Sequence, residues 1–88
     1  MENAFVISYD LPDGGNYDAL IERIKKYKTW AHITKSTWAV VTESTSVEIR
    51  DELIKIIGDD ARLIVVQSAH VAAWNNTLCT NDWLQKNI

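Results

Sequence analysis

Residues 5–10 read Phe5-Val6-Ile7-Ser8-Tyr9-Asp10, and Leu11-Pro12-Asp13-Gly14-Gly15 follows at once. In an extended chain Phe5, Ile7 and Tyr9 share one face, and Ala4, Val6 and Ser8 share the other. Neither face is polar, so residues 4–9 are predicted to form a central strand packed on both sides. Pro12 fixes φ and the two glycines permit positive φ, which makes 12–15 a turn. The strand therefore carries the Asp10 carboxylate to its own C-terminal end, beside a loop. That is a common way to build a site on a rigid scaffold.

Working outward, Asn16 is a candidate N-cap for a helix over 17–28, with Asp18 in its first turn. Leu20, Ile21 and Ile24 form its apolar stripe, extended back to Tyr17. Lys25, Lys26 and Lys28 complement the C-terminal end of the helix dipole. Trp30-Ala31-His32-Ile33 reads as a short second strand, and Thr37 to Thr42 as a third, rich in β-branched residues. Thr34-Lys35-Ser36 forms the hairpin turn between them. Thr45 followed by Glu48 matches a capping box for a second helix, which Gly58 ends. Its buried stripe is Ile49, Leu53, Ile56 and Ile57. Arg62 to Gln67 is a fourth strand. Residues 68–74 read as a fifth strand or an irregular arm, and Asn81 or Asp82 caps a last short turn.

The order β-α-β-β-α-β suggests an α+β, ferredoxin-like sandwich. Right-handed crossovers give an antiparallel sheet of order 4-1-3-2. The chain is read as one domain, 1–88, with 68–88 as a C-terminal arm involved in dimerisation. This topology brings the end of strand one, the hairpin and the start of strand four to one end of the sheet. Asp10, Lys35, Ser36 and Arg62 then become neighbours, together with the Asp59-Asp60 turn.

Composition narrows the class. The chain has 88 residues, 47% of them hydrophobic, with four Trp and three Tyr. A domain this small and this aromatic often completes its burial by dimerising. Net charge is −3, so no global basic field draws in nucleic acid. A nucleic-acid role therefore needs a local basic patch or a bridging metal. Cys79 stands alone, which rules out an intrachain disulfide and fits a reducing, cytoplasmic setting. No apolar run approaches a membrane span, and Met1-Glu2-Asn3 does not open like a signal peptide.

Ile7-Ser8-Tyr9-Asp10-Leu11, together with Lys35-Ser36-Thr37-Trp38, resembles the small CRISPR-associated nuclease and spacer-integration family. Within it, the likeness is to short SinR-like bacterial and phage proteins. The resemblance spans roughly residues 4–74. It implies a ferredoxin-like homodimer in which the two Asp10 carboxylates share Mg2+, or Mn2+, for phosphodiester cleavage. It also implies a non-catalytic alternative, a dimeric scaffold that holds nucleic acid beside a protein partner such as an integrase subunit. Residues 68–74 would cross to the partner's sheet. The family's Arg and Gln before the hairpin Ser are replaced here by Ile33 or Thr34 and by Lys35. A similar group, the virulence-associated-D toxin ribonucleases, would work without metal through His32 or Ser36.

Each candidate has a plainer reading beside it. Asp10 supplies a hard oxygen for Mg2+, or it terminates a strand and caps the following turn. Ser36 bonds a phosphate or orients Asp10, or bonds local backbone. Lys35 holds a phosphate or is solvated. His32 is a general acid or base, or a half-buried structural residue beside Trp30. The chain has no glycine-rich phosphate loop, no Ser-His-Asp order and no HExxH pattern.

Overall fold

The computed structural model describes every residue, Met1–Ile88. Its axis is β1 (Asn3–Asp10), which pairs antiparallel with β3 (Thr37–Thr42) on one side and β4 (Arg62–Gln67) on the other. β2 (Thr29–Thr34) lies outside β3, so the sheet runs β2-β3-β1-β4. Read from its other edge, the neighbours are β4, β1, β3 and β2. Two helices, α1 (Tyr17–Ile24) and α2 (Ser46–Ile57), connect the strands, and α3 (Asn81–Asn87) closes the chain. The result is an α+β arrangement compatible with a small ferredoxin-like fold.

Local chemistry sets the helix boundaries. The Asn16 side chain accepts from the Ala19 N–H at 3.2 Å and starts α1. The helix stops at Ile24, four residues before the expected Lys28. Lys26 N–H donates to Arg23 O, and Tyr27 N–H to Ile24 O, so the chain tightens into i→i+3 bonds. This tucks the Tyr27 ring into the core. α2 begins on a complete capping box. Thr45 Oγ1 accepts from Glu48 N–H at 3.2 Å, and Glu48 Oε1 accepts from Thr45 N–H at 2.9 Å. It ends at Gly58, where φ is +84° and the N–H donates to Ile54 O.

The main core lies between the sheet and α1 and α2. Phe5, Ile7 and Tyr9 meet Trp38 and Val40 on one sheet face, beneath Leu20, Ile24, Ile49 and Leu53. Trp38 therefore faces the helices. Its indole N–H donates to the Tyr9 hydroxyl at 2.9 Å inside that core, which satisfies a donor that is costly to bury alone.

The opposite face is covered by the chain's own tail. Ala4, Ala31 and Ala39 alternate onto that face and are 4%, 4% and 0% exposed. Residues 68–80 are irregular rather than a fifth strand. They return across the sheet from β4 to β2. Ser68 N–H donates to Ala4 O at 2.8 Å, and Leu78 N–H to Ile33 O at 2.9 Å. α3 then begins at Thr80, whose hydroxyl accepts from Trp83 N–H, so the cap is neither Asn81 nor Asp82. Leu84 is 2% exposed, and the Trp83 indole donates to Thr29 Oγ1 at 3.0 Å. The Ser68 hydroxyl closes the loop on Ile88 O. Small residues at Ala4, Ala31 and Ala39, interspersed with Val6 and Val41, make up this face, on which the seven-residue helix lies.

The two sheet edges differ as a result. Leu78 meets the free edge of β2, but no backbone hydrogen bond reaches the outer edge of β4. No helix is long and apolar enough to cross a membrane.

Candidate functional site

The end of β1 gathers the residues singled out in the sequence, but in two groups. Asp10 is the register partner of Arg62, and the guanidinium donates to Asp10 Oδ2 at 2.9 Å. Tyr9 N–H donates to Ser36 O at 3.1 Å, which ties the β2–β3 hairpin to the same strand end. Ser8 and Thr37 link β1 to β3 through their hydroxyls at 3.1 Å. Asp10 and Arg62 line a shallow groove of about 280 Å³ with Ser8 and Ile64. Lys35 and Ser36 line a separate cavity of about 320 Å³ with Tyr9, Tyr17 and Ile21. Alternation along β1 explains the split. Tyr9 points to the helix side and Asp10 to the other.

Asp10 is the only carboxylate in its groove. Its side chain is 65% exposed and that of Arg62 is 85% exposed, so their bond is a surface ion pair. No three His, Cys, Asp or Glu side chains converge anywhere in the chain. Asp59 and Asp60 stay exposed in the turn after α2. Mg2+ is content with one or two carboxylates and keeps several waters. Here, however, a guanidinium already sits where a cation would approach Asp10. The donor set of one chain does not fit Mg2+, and a second copy would have to complete it.

His32 is half-buried in β2 and stacks on Trp38, with ring centroids 4.0 Å apart and planes 11° apart. Its Nε2 lies 3.3 Å from Lys35 O. That geometry describes a packing group that steadies the hairpin. His70 sits in the tail at φ +61°. The Ser36 carbonyl is engaged by Tyr9, while its hydroxyl makes no hydrogen bond within the chain.

Two tyrosines have raised pKa values. Burial is the main cause at Tyr9, opposed by the Trp38 hydrogen bond and aided by Tyr17. Burial also dominates at Tyr27, where the charge of Arg23 pulls the other way. The Arg23 guanidinium lies 4.6 Å from the centre of that ring.

Tyr9 and Tyr17 are the site residues that sequence reasoning did not assign. Their ring centroids are 6.1 Å apart. The sequence pattern puts Tyr9 on one face of a strand packed on both sides and extends the stripe of α1 back to Tyr17. The signal was available in the short 11–15 connection, which returns the start of α1 to the end of β1.

Comparison with known proteins finds no matching family model and no matching curated protein.

Proposed function

We propose that this protein is a dimeric interaction module whose β4 edge pairs with the β4 edge of a second copy. The observation that carries this is the open outer edge of β4. Ile64 and Val66 there are 58% and 49% exposed, and Val47 of α2, close beside it, is 52% exposed. Edge strands that must stay single usually carry Pro, Lys or a bulge. β4, Arg-Leu-Ile-Val-Val-Gln, has no Pro, Lys or bulge, and its one charge, Arg62, stands at its first position.

A two-fold axis through Val65 would pair the strands antiparallel and set Ile64 opposite the partner's Val66. Both would stay on the face away from the helices, as an apolar cross-strand pair. Such an interface is isologous and closes at two copies. Sedimentation equilibrium is the test. The reading expects a reversible dimer, and it expects Ile64→Lys to be a folded monomer. A wild-type chain that stays monomeric at millimolar concentration overturns it.

A second reading is favoured by the exposure of Asp10 on the uncovered part of the sheet. It is the metal-dependent phosphodiesterase with Asp10 from two copies at one Mg2+ or Mn2+. This requires the sheets to meet face to face. Pairing through β4 leaves the two Asp10 residues about three strand spacings apart across the sheet and about six residues apart along it, roughly 24 Å in all, too far to share an ion. The two dimers are therefore alternatives. Metal-dependent cleavage of DNA or RNA, abolished by Asp10→Ala in a still-folded dimer, would decide for the second.

A further inference from the structure

The cavity on the helix side of the hairpin is not used by either reading. It measures about 320 Å³ and is lined by Tyr9, Tyr17, Ile21, Lys35 and Ser36. That volume is at the lower end of the roughly 300–1,000 Å³ of small-ligand sites. Its lining is aromatic and apolar with a few polar groups on one wall.

Three features of the lining point to one chemistry. First, Lys35 is the only charged residue there, in a chain whose net charge is −3. A local cation with no carboxylate beside it selects an anion. Second, two hydrogen-bond donors are unspent. The Ser36 hydroxyl has no partner in the chain. The Tyr9 side chain is 5% exposed, and its hydroxyl only accepts, from Trp38, so its own proton has no acceptor. Third, Tyr17 is 42% exposed and tilts at 53° to Tyr9, leaving aromatic surface open beside the polar wall. An aromatic face next to a cation and two hydroxyl donors suits a planar ring that carries an anionic oxygen group.

We infer that this cavity is a binding site for a free nucleoside monophosphate. The base stacks on Tyr17, and the phosphate lies against Lys35 and Ser36. A longer nucleic acid would bring many phosphates onto an acidic surface, which the net charge opposes. The site does not depend on self-association, because none of its lining residues belongs to β4.

The test is an NMR amide titration of the full chain with adenosine and cytidine monophosphates, adenosine and inorganic phosphate. Saturable shifts centred on Tyr9, Tyr17, Lys35 and Ser36 are expected with the monophosphates. Tyr17→Ala weakens monophosphate and nucleoside binding together, by roughly tenfold. Lys35→Ala weakens the monophosphates by roughly threefold to tenfold and leaves adenosine unchanged. Both side chains are exposed, so both variants keep the fold. The monomeric Ile64→Lys variant binds as the wild type does, which separates this site from the β4 interface. The inference is overturned by absence of saturable shifts at millimolar monophosphate, or by inorganic phosphate binding equally well. A terminally phosphorylated single strand that binds more tightly than the monophosphates overturns the assignment to a free nucleotide.

Discussion

Replacing Leu84 with Ala tests how the tail is held. Leu84 is 2% exposed on a seven-residue helix. A helix of that length is not stable alone, so its order depends on docking. Truncating a buried Leu to Ala costs about 2–5 kcal/mol where the surroundings cannot collapse. The sheet face on the tail side carries Val6 and Val41 as well as Ala4 and Ala39, so part of the space could close. The loss is also capped at the free energy with which residues 68–88 dock, because beyond it the tail simply releases. The expected result is therefore a loss of about 2–3 kcal/mol, confined to the tail. Hydrogen exchange reads this directly. Leu78 N–H, bonded to Ile33 O, and Ile88 N–H, bonded to Leu84 O, should lose protection. The amides between β1 and β3 should keep theirs. Unchanged exchange at Leu78 and Ile88 would refute this account of the tail. So would protection in the variant that rises with chain concentration, because the tail would then be docking on a second copy.

Three further outcomes follow from the fold. Thr45→Ala removes half of the capping box and should lower stability by about 0.5–2 kcal/mol in urea titration. The raised pKa values of Tyr9 and Tyr27 stabilise the folded state while pH stays below the ordinary value of 10.0. That contribution is lost as pH rises through the folded-state values, so alkaline unfolding should coincide with the appearance of phenolate absorbance from these two rings. Arg62→Ala should leave the thermal unfolding midpoint nearly unchanged, because the Asp10 pair is exposed. A large fall in that midpoint would show that the pair bears structural load.

Much of the fold was readable because its devices are local. The alternation around Phe5, Ile7 and Tyr9, the Thr45–Glu48 box and Gly58 each depend on neighbours within a few residues. The convergence of Asp10 with Arg62 followed from topology; the same topology put Lys35 and Ser36 beside Asp10, whereas they line a separate cavity with Tyr9. What the sequence did not reveal depends on distant contacts. Tyr27 ends α1 early because its ring is drawn into the core. The route of residues 68–80 has no periodicity, and it is set by the sheet face that includes Ala4, Ala31 and Ala39. The division of the strand end into two cavities turns on which side of β1 each residue takes. Tyr17 joins one of them only through the loop that precedes α1.

The outer amides of β4 offer the most direct test of the dimer. Hydrogen exchange at residues 62–67 should be measured over a wide range of chain concentration. Pairing through β4 predicts protection that rises with concentration at alternate, outward-facing amides of this strand and nowhere else in the sheet. Exchange at β4 that is independent of concentration, in a chain that nonetheless dimerises, would contradict the account.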